Sequence, residues 1–313
     1  MKKMIRLGTR GSPLALIQAE EIRRHLFEAH PHLSAEGDIE IIPIRTTGDW
    51  RPEHKDRRFV EMGGNKGLFT KEIEDALLTG YIDMATHSMK DVASVVPDGL
   101  SLCAISPRSD PRDAFIGRKA QTLEDLPAGA VVGTSSLRRQ AQILALRRDL
   151  RVVPLRGNVE TRMQKLEDGL ADAIVLAAAG LARLGMTARI SSILPVTTML
   201  PAAAQGVLGV EFRDDDAAMR ALLAPLIDRD TQLCVMAERA VMRALGGTCQ
   251  TPAAAYATIT PSGLLALEAM VARADGTDLI RLAATGKPED ADQIGEMLGE
   301  NLRRRSPADL FVT

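Results

Sequence analysis

Two segments of this 313-residue sequence place arginines at a predicted strand-to-helix junction. Residues 131–140 read VVGTSSLRRQ and residues 152–162 read VVPLRGNVETR, so in each a β-branched run meets small hydroxyl or amide residues before a helical pattern begins. The backbone N–H groups at a helix start favour an anion, and a guanidinium group pairs with a carboxylate or phosphate through two parallel hydrogen bonds. Four arginines at two such junctions indicate a ligand with several negative groups.

A plainer interpretation of these arginines is open at this point. Arginines in the first turn of a helix also face water or pair with nearby acids, and exposed ion pairs contribute little to stability. Positive charge near a helix start is mildly unfavourable. We therefore expect some anion to lie close to them.

Cys249 and the segment 86–91 are two further candidates for chemistry. Two glycines precede Cys249 and a proline follows within three residues, which predicts a turn; a thiol on a turn is a nucleophile or an attachment point. Cys103 and Cys234 fit small buried hydrophobic residues. Residues 86–91, THSMKD, follow a predicted buried strand, and strand ends of this kind bind ligands in open α/β sheets. A turn with a solvated Lys–Asp pair explains this segment equally simply.

The elements that position these residues alternate between short apolar runs and helical patterns over the first two thirds of the chain, which is typical of α/β architecture. Strands are predicted near residues 4–7, 39–45, 82–86, 131, 152 and 173. Ser12 followed by Pro13 predicts a helix start. From about residue 228, a helix, three alternating strands near 253–260, 264–272 and 278–284, and a closing helix indicate a separate α+β module.

The composition excludes several classes of protein. A net charge of −2 makes nucleic acid or an anionic membrane an unexpected partner, and no run approaches 18 apolar residues, so no membrane span is predicted. The start of the chain lacks a signal-peptide pattern, and three cysteines do not suggest a disulfide framework. We expect a cytoplasmic protein. The five histidines show no metal-ligand spacing, so no metal site is predicted.

Motifs along the whole chain resemble those of the porphobilinogen deaminase family, also called hydroxymethylbilane synthases. In chain order they are TRGSPLAL at 9–16, KGLFTKE at 66–72, HSMKD at 87–91, GTSSLRRQ at 133–140, LRGN at 155–158, PA at 201–202 with QG at 205–206, and ER at 238–239 with GTCQTP at 247–252. Ala204 stands where the family frequently has glycine. The ordered set is highly specific, although no single motif is.

The resemblance implies three domains, of which the first two are α/β lobes like those of periplasmic binding proteins and the third is a C-terminal α+β domain with a small three-stranded antiparallel sheet. Domain 1 is expected over residues 1–106 with a return segment at 202–224, domain 2 over 107–201, and the C-terminal cofactor-attachment domain over 228–313. The implied enzyme is a transferase of tetrapyrrole and haem biosynthesis. It condenses four porphobilinogen molecules head to tail with loss of ammonia, and it releases hydroxymethylbilane by hydrolysis.

The resemblance also implies a dipyrromethane cofactor held through a thioether to Cys249, and it makes Asp91 the catalytic aspartate. We expect Asp91 to be a buried carboxylate that stabilises positive charge on the reacting pyrroles. The residues expected to contact substrate or cofactor are Arg10, Ser12, Lys66, Phe69, Ser88, Lys90, Thr134, Ser135, Ser136, Arg138, Arg139, Arg156, Asn158, Arg162 and Gln205. Each pyrrole ring of the substrate carries an acetate and a propionate. A bound polyanion would therefore explain the two arginine clusters.

The partners implied are porphobilinogen as a small-molecule substrate, with the chain a monomer; a transient hand-over of product to uroporphyrinogen III synthase is left open. A basic loop from about Arg51 to Arg58 is expected to close over a cleft between the lobes. The rival hypothesis is a cytoplasmic two-lobed binding or sensing module for a polycarboxylate, in which Cys249 is only structural. Fold alone does not decide between the two.

Overall fold

The computed structural model describes residues 4–33, 37–47, 70–246 and 251–311. Its contacts divide the chain into two compact units. The first unit contains the described residues of 1–49, 67–109 and 206–232, and the second contains the described residues of 110–205 and 233–313. Each unit is described by itself below.

The strands and helices of the described residues alternate along most of the chain. The strands are β1 (Ile5–Arg10), β2 (Ile39–Ile44), β3 (Met84–Ser88), β4 (Leu100–Ile105), β5 (Asp113–Gly117), β6 (Val131–Gly133), β7 (Arg151–Val153), β8 (Ala173–Ala177), β9 (Ser192–Leu194), β10 (Leu208–Arg213), β11 (Ala253–Ile259), β12 (Leu265–Val271) and β13 (Ile280–Gly286). The helices are α1 (Pro13–Ala29), α2 (Lys71–Leu78), α3 (Leu137–Leu146), α4 (Val159–Glu167), α5 (Ala178–Arg183), α6 (Ala217–Leu223), α7 (Arg229–Ala244) and α8 (Ala291–Arg305).

The first unit is built on a five-stranded sheet in the order β2-β1-β3-β10-β4. β1 runs parallel to β2 and β3, whereas β10 runs antiparallel to both β3 and β4. Helix α1 begins as predicted, with Ser12 as its cap and Pro13 at its first position. Its apolar stripe, which includes Ile22 and Leu26, packs with Leu7 of β1 in a core where all three are fully buried.

The second unit contains a five-stranded sheet of the same design in the order β7-β6-β8-β5-β9. β6 is parallel to β7 and β8, and β5 is antiparallel to β8 and β9. Apolar cores lie around Phe115 and Val132 and around Ile174 and Leu181. The prediction of two α/β lobes is confirmed.

The second unit also contains the antiparallel sheet β11-β12-β13, which confirms the predicted three-stranded sheet. Alternate residues of its strands, such as Leu267 and Ala255, pack with Val241 of α7 and Leu298 of α8. Residues of the opposite face, which include Met270, pack in a separate cluster around Ala141 of α3. Both faces of this small sheet are therefore covered within the second unit, as its apolar strands require.

The exact domain boundaries predicted from sequence remain predictions. The contact division separates the chain after residue 109 and again between residues 205 and 206 and between 232 and 233. It groups the lobe that follows residue 110 with the C-terminal sheet. In the part of the chain that the structure describes, every helix is too short or too polar to cross a membrane.

Candidate active site

A pocket in the first unit brings together several of the residues predicted from sequence. Arg10, Ser12, Ser88 and Asp91 are among the side chains that line it. Arg10 ends β1 and Ser88 ends the neighbouring parallel strand β3, while the Ser12 hydroxyl accepts a hydrogen bond from the backbone N–H of Ala15 at 3.4 Å. Two strand ends and a helix start therefore meet at one place, where open α/β sheets bind ligands.

Gln18 is a pocket residue that the sequence analysis did not single out. Its amide Nε2 donates to Ser88 Oγ at 2.8 Å, and the Ser88 hydroxyl lies 3.2 Å from Gln18 Oε1. Gln18 is buried on the apolar face of α1 between Ala15 and Ala19. The sequence could have indicated Gln18, because it is a polar residue on the otherwise apolar stripe of an amphipathic helix.

Asp91 lies in a short 3₁₀ turn, Met89–Asp91, directly after β3. The expectation that it is buried is wrong: Asp91 is exposed at the pocket, whereas Met89 beside it is buried. The reason is the geometry of the turn: successive side chains of a 3₁₀ turn point about 120° apart, so Met89 is directed inward and Asp91 is not. Lys90 is half-buried.

Arg138 and Arg139 share one internal carboxylate in the second unit. Arg138 Nη2 donates to Asp113 Oδ2 and Arg139 Nη2 donates to Asp113 Oδ1, both at 2.8 Å. Arg138 Nη1 also donates to the carbonyl oxygen of Leu200 at 2.6 Å. All three charged side chains are buried. The anion expected beside this helix start is therefore in part the carboxylate of Asp113, which agrees with the plainer interpretation that these arginines pair with nearby acids. That Arg138 and Arg139 also bind a ligand stays a prediction.

Asp113 is stabilised in its charged form although it is fully buried. Burial would raise its pKa, but the charges of Arg138 and Arg139 and hydrogen bonds from Arg139 and Gln205 hold the pKa of Asp113 well below its ordinary value. Gln205 Nε2 donates to Asp113 Oδ1 at 2.9 Å and to the carbonyl oxygen of Pro111 at 2.7 Å. Two guanidinium groups against one carboxylate leave one net positive charge, which favours an anionic ligand.

Three buried polar atoms around this cluster have no hydrogen-bond partner among the described residues: Arg139 Nε, Ser135 Oγ and Gln205 Oε1. Such atoms are normally paired in folded proteins. A guanidinium N–H and a hydroxyl beside a net positive charge fit carboxylate oxygens, and the amide oxygen fits an N–H donor. A dipyrromethane, with its carboxylates and pyrrole N–H groups, carries both kinds of partner, so these residues fit the expected cofactor.

The second helix start is held largely by its own hydrogen bonds. Asn158 caps α4, and its Oδ1 accepts from the Thr161 backbone N–H at 2.8 Å and from the Thr161 hydroxyl at 2.6 Å. Arg162 Nε donates to the carbonyl oxygen of Gly157 at 2.8 Å. Gly157 has φ +119°, a conformation that favours glycine. Arg156 is buried.

The two helix starts are neighbours at one edge of their sheet. β6 and β7 are parallel, with Gly133 opposite Val153, and the Thr134 N–H donates to the carbonyl oxygen of Val153 at 2.9 Å. The Ser136 hydroxyl caps α3 by accepting from the Arg139 N–H at 3.4 Å, and Thr134 Oγ1 accepts from the Ser136 N–H at 3.2 Å. The segments that follow the two strands therefore leave the sheet side by side.

Several predicted residues lie outside the described residues. They are Cys249, Lys66, Phe69 and the basic loop from Arg51 to Arg58. Asp113, which the structure shows to be central, was missed because it was assigned to a crossing segment. The signal was a charged residue opening the apolar run Ala114–Phe115–Ile116.

Comparison with known proteins supports the motifs read from the sequence. The family model for the porphobilinogen deaminase dipyrromethane cofactor binding domain matches residues 5–221, and the model for the porphobilinogen deaminase C-terminal domain matches residues 232–304. The chain belongs to the porphobilinogen deaminase family. The resemblance stated from the sequence is confirmed.

Curated relatives match this chain over nearly its whole length. Porphobilinogen deaminase of Paracoccus denitrificans is 50% identical, with 98% of this chain and 96% of the relative covered. That of Chromobacterium violaceum is 48% identical, with 96% and 94% covered, and the chloroplastic enzyme of Oryza sativa subsp. japonica is 47% identical, with 98% and 86% covered.

A solved structure of a putative methionine-binding lipoprotein from Bacillus subtilis also aligns with the chain. It covers 74% of this chain and 92% of that chain, with a TM-score of 0.43 and 12% identity. A TM-score below 0.5 adds no weight to the architecture, which rests on the strand order of each lobe.

Proposed function

We propose that this chain is a hydroxymethylbilane synthase, a transferase that joins four porphobilinogen molecules head to tail with loss of ammonia. The observation that carries the proposal is the family match over residues 5–221 and 232–304. The residues with catalytic or anion-binding chemistry fall within the matched ranges. They are grouped in the described parts of each unit as a pocket and as an arginine cluster.

In the first unit, Asp91 is proposed to act on the reacting pyrroles. A carboxylate accepts hydrogen bonds from pyrrole N–H groups, and it stabilises positive charge that develops when the amine leaves. Arg10 and Ser12 line the same pocket and supply a cation and a hydroxyl for a substrate carboxylate. The pair of hydrogen bonds between Gln18 and Ser88 fixes the Ser88 hydroxyl at the pocket wall.

In the second unit, Arg139 is proposed to bind ligand carboxylates through its Nε–H, together with the Ser135 hydroxyl. Both atoms are buried and lack a partner within the described residues. Arg138 supplies charge, while both of its terminal nitrogens are already engaged by Asp113 and Leu200. The neighbouring junction supplies Arg156, Asn158 and Arg162 for further carboxylates, and Thr134, Ser136 and Gln205 hold the shape of the first junction.

Cys249 is proposed to hold the dipyrromethane through a thioether. When bound, that group supplies the covalent starting point on which the pyrrole chain is extended. The arginine cluster then counters the carboxylates, and Asp91 balances positive charge near the reacting atoms. Lys66, Lys90 and Phe69 are proposed as additional contacts to substrate or cofactor.

The surroundings of the reaction also belong to the proposal. We expect a cytoplasmic monomer that passes its product transiently to uroporphyrinogen III synthase. Porphobilinogen is the substrate, and no nucleic acid or membrane takes part. Sedimentation of the purified chain, alone and mixed with that synthase, tests both the monomer and the hand-over.

The covalent cofactor is tested by the intact mass of protein purified from a host that makes porphobilinogen. The wild type is expected to carry two condensed pyrrole units, and Cys249→Ser is expected to carry none. Cys234→Ala, which changes a buried cysteine of α7, is the matched control and should keep the added mass. An unmodified wild type would leave the polycarboxylate-binding module as the better hypothesis.

The role of Asp91 is tested by Asp91→Asn in the cofactor-loaded enzyme. Removing the charge while keeping the shape should lower turnover of porphobilinogen by about 10²-fold or more, with the circular dichroism spectrum and the added mass unchanged. Asp98→Asn, at an exposed position of the same segment, should turn over normally. Normal turnover in Asp91→Asn would remove Asp91 from the reaction.

A further inference from the structure

A buried histidine–glutamate pair lies on one face of the first unit's sheet. His87 of β3 and Glu211 of β10 belong to adjacent antiparallel strands, in which His87 is opposite Gly209 and Glu211 is opposite Ala85. Opposed residues share a face of the sheet, so both side chains lie on the same side. His87 Nε2 is 3.0 Å from Glu211 Oε2, and the two side chains are 3% and 0% exposed.

A second carboxylate covers this pair from helix α2. The helix packs on β3 and β10, and Glu74 is on its buried face. Burial raises the pKa of Glu74 and the negative charge of Glu211 raises it further, while the nearby Thr70 hydroxyl and the charge of His87 oppose the rise. Glu211 Oε1 is buried without a hydrogen-bond partner in the described part of the chain.

Two arginines lie near this cluster: Arg10 is half-buried and lines the same pocket as His87, and Arg213 is engaged by other groups. Arg213 follows two residues after Glu211 on the same face, but its Nη1 donates to the carbonyl oxygens of Leu77 and Ile82, both at 2.8 Å, and its Nη2 lies 3.6 Å from Asp83. Asp75 of α2 adds negative charge and raises the pKa of Glu74.

Glu74 favours retention of a proton, because burial and the charge of Glu211 raise its pKa and an unpaired buried charge is costly. With both carboxylates ionised and the imidazole protonated, the three side chains would still carry one net negative charge. A proton held among Glu74, Glu211 and His87 removes that charge from the interior. The cluster is therefore suited to hold a proton and to release it.

The cluster reaches the pocket that contains Asp91. His87 lines that pocket together with Ser88 and Asp91, and Thr70 and Thr86 line it as well. His87 is therefore in contact with the buried glutamate on one side and with the pocket on the other.

We propose that His87, Glu211 and Glu74 form the proton store of the Asp91 pocket, with His87 as the positioning residue that couples the two glutamates to Asp91. The inference rests on the proposed function. In each condensation the C–N bond of one substrate breaks, nitrogen leaves with the electron pair and takes up a proton, a new C–C bond forms, and the attacking ring carbon loses its proton. The three residues donate one proton and take up one proton in each cycle. Their total number of bound protons is therefore unchanged at the end of the cycle, and no oxidant or reductant is needed.

The test compares Glu211→Gln and Glu74→Gln with the wild type in the cofactor-loaded enzyme. Glu211→Gln keeps an acceptor for His87 but removes the charge. It should lower kcat by about 10-fold or more, at the low end of general acid–base effects, and change KM by less than kcat. The pH at which kcat is half-maximal should move, and the solvent deuterium isotope effect on kcat should increase. Glu74→Gln should change the same quantities in the same direction.

A structural role would reduce activity without moving the pH profile or the isotope effect. Asp98→Asn, at an exposed position between β3 and β4, is the control and should behave as the wild type. If both variants load cofactor but keep the wild-type pH profile and isotope effect, the proton store is excluded. If the wild type itself does not turn over porphobilinogen, the proposed function fails first.

A measurement on folded wild type decides the matter if the glutamine variants do not fold. The ring nitrogens of His87 are followed by NMR against pH in the wild type and in Asp91→Asn, both without substrate. Coupling through the pocket should move the His87 titration when the Asp91 charge is removed. Superimposable titrations would overturn the proposal.

Discussion

Asp113 accepts from two buried arginines at once, each at 2.8 Å. Its pKa is depressed because the two cations outweigh burial. A carboxylate with a depressed folded-state pKa contributes stability that is present above its unfolded pKa of about 3.9 and is lost as the pH falls from there toward the folded value. The stability that Asp113 provides should therefore be complete at neutral pH and decline only below about pH 4.

Asp113→Asn leaves the two guanidinium groups buried without their counter-charge. At pH 7 the free energy of unfolding, from urea titration of the cofactor-free protein, should fall by about 3–5 kcal/mol. The difference from wild type should narrow below about pH 4, as protonation removes the charge of the wild-type residue as well. A difference that stays constant with pH would show that packing, not charge, is lost.

Asp110→Asn is the matched control for this experiment. Asp110 lies three residues before Asp113 and pairs with Arg112 at 2.7 Å. The side chain of Asp110 is 33% exposed and that of Arg112 is 46% exposed. Solvent screens such a pair, so its loss should cost less than about 1 kcal/mol.

Single residues were predictable where the cause is local. Ser12 and Pro13 were identified as a helix start from their own chemistry, and the structure agrees. Ala204 stands where the family frequently has glycine, and it has φ +59°, the left-handed region that favours glycine. Asp113 and the outward position of Asp91 depend on distant packing and on the geometry of one turn, and no local pattern encodes either.

At the scale of elements, helix α8 lies against α7 through glycines. A Cβ at Gly295 would lie 2.2 Å from the carbonyl oxygen of Ala237 and 2.7 Å from the Ala240 side chain. A Cβ at Gly299 would lie 2.6 Å from the Ala244 side chain. The close approach of the two helices therefore depends on these positions having no side chain.

Gly295→Ala should destabilise the protein although alanine is the better helix former by about 1 kcal/mol. The added methyl group meets a backbone carbonyl that cannot move independently of α7, and overpacking of this kind costs about 1–3 kcal/mol or more. Urea unfolding should show a net loss of stability. Glu296→Ala, at an exposed position one residue later, should change stability by less than about 0.5 kcal/mol. A stabilised Gly295→Ala would mean that the helices can separate at little cost.

Elements were predictable where their pattern is continuous in sequence. The strands near residues 131, 152 and 173 and the three C-terminal strands are found close to their predicted positions. β4, β5, β9 and β10 were not predicted as strands. Of these, β5 and β10 each enter a sheet between strands from elsewhere in the chain, and each carries a buried acid, Asp113 or Glu211, within an apolar run. Their partners are distant in sequence, so no short window indicates the pairing.

At the scale of the whole molecule, the sheet of the first unit is completed late in the chain. β10 lies between β3 and β4, and it pairs with both along its length. Without it, β4 has no partner strand in the described sheet, since the order is β2-β1-β3-β10-β4.

Two fragments that differ only by this return segment test its importance. In a fragment of residues 1–227, amides of β3 and β4 should be protected from hydrogen exchange, because β10 is present to pair with them. In a fragment of residues 1–205 the amides of β4, and those of β3 that pair with β10 and not with β1, should exchange rapidly. Amides of β6 and β8, which pair with each other within the second unit, serve as the internal control. Their protection from hydrogen exchange should be the same in the two fragments. Equal protection of β3 and β4 in the two fragments would contradict this role of β10.

The position of β10 also bears on how the nascent protein folds on the ribosome. β4 ends at Ile105, whereas β10 begins at Leu208, after every strand of the second lobe has been made. At 5–20 residues per second, the intervening stretch of about 100 residues takes roughly 5–20 s to synthesise. Throughout that interval the sheet of the first unit lacks β10, and the apolar edges of β3 and β4 are unpaired on that side. The second lobe can therefore fold before the sheet of the first unit is complete. We expect chaperones that bind nascent chains to cover the unpaired strands of the first unit during this time.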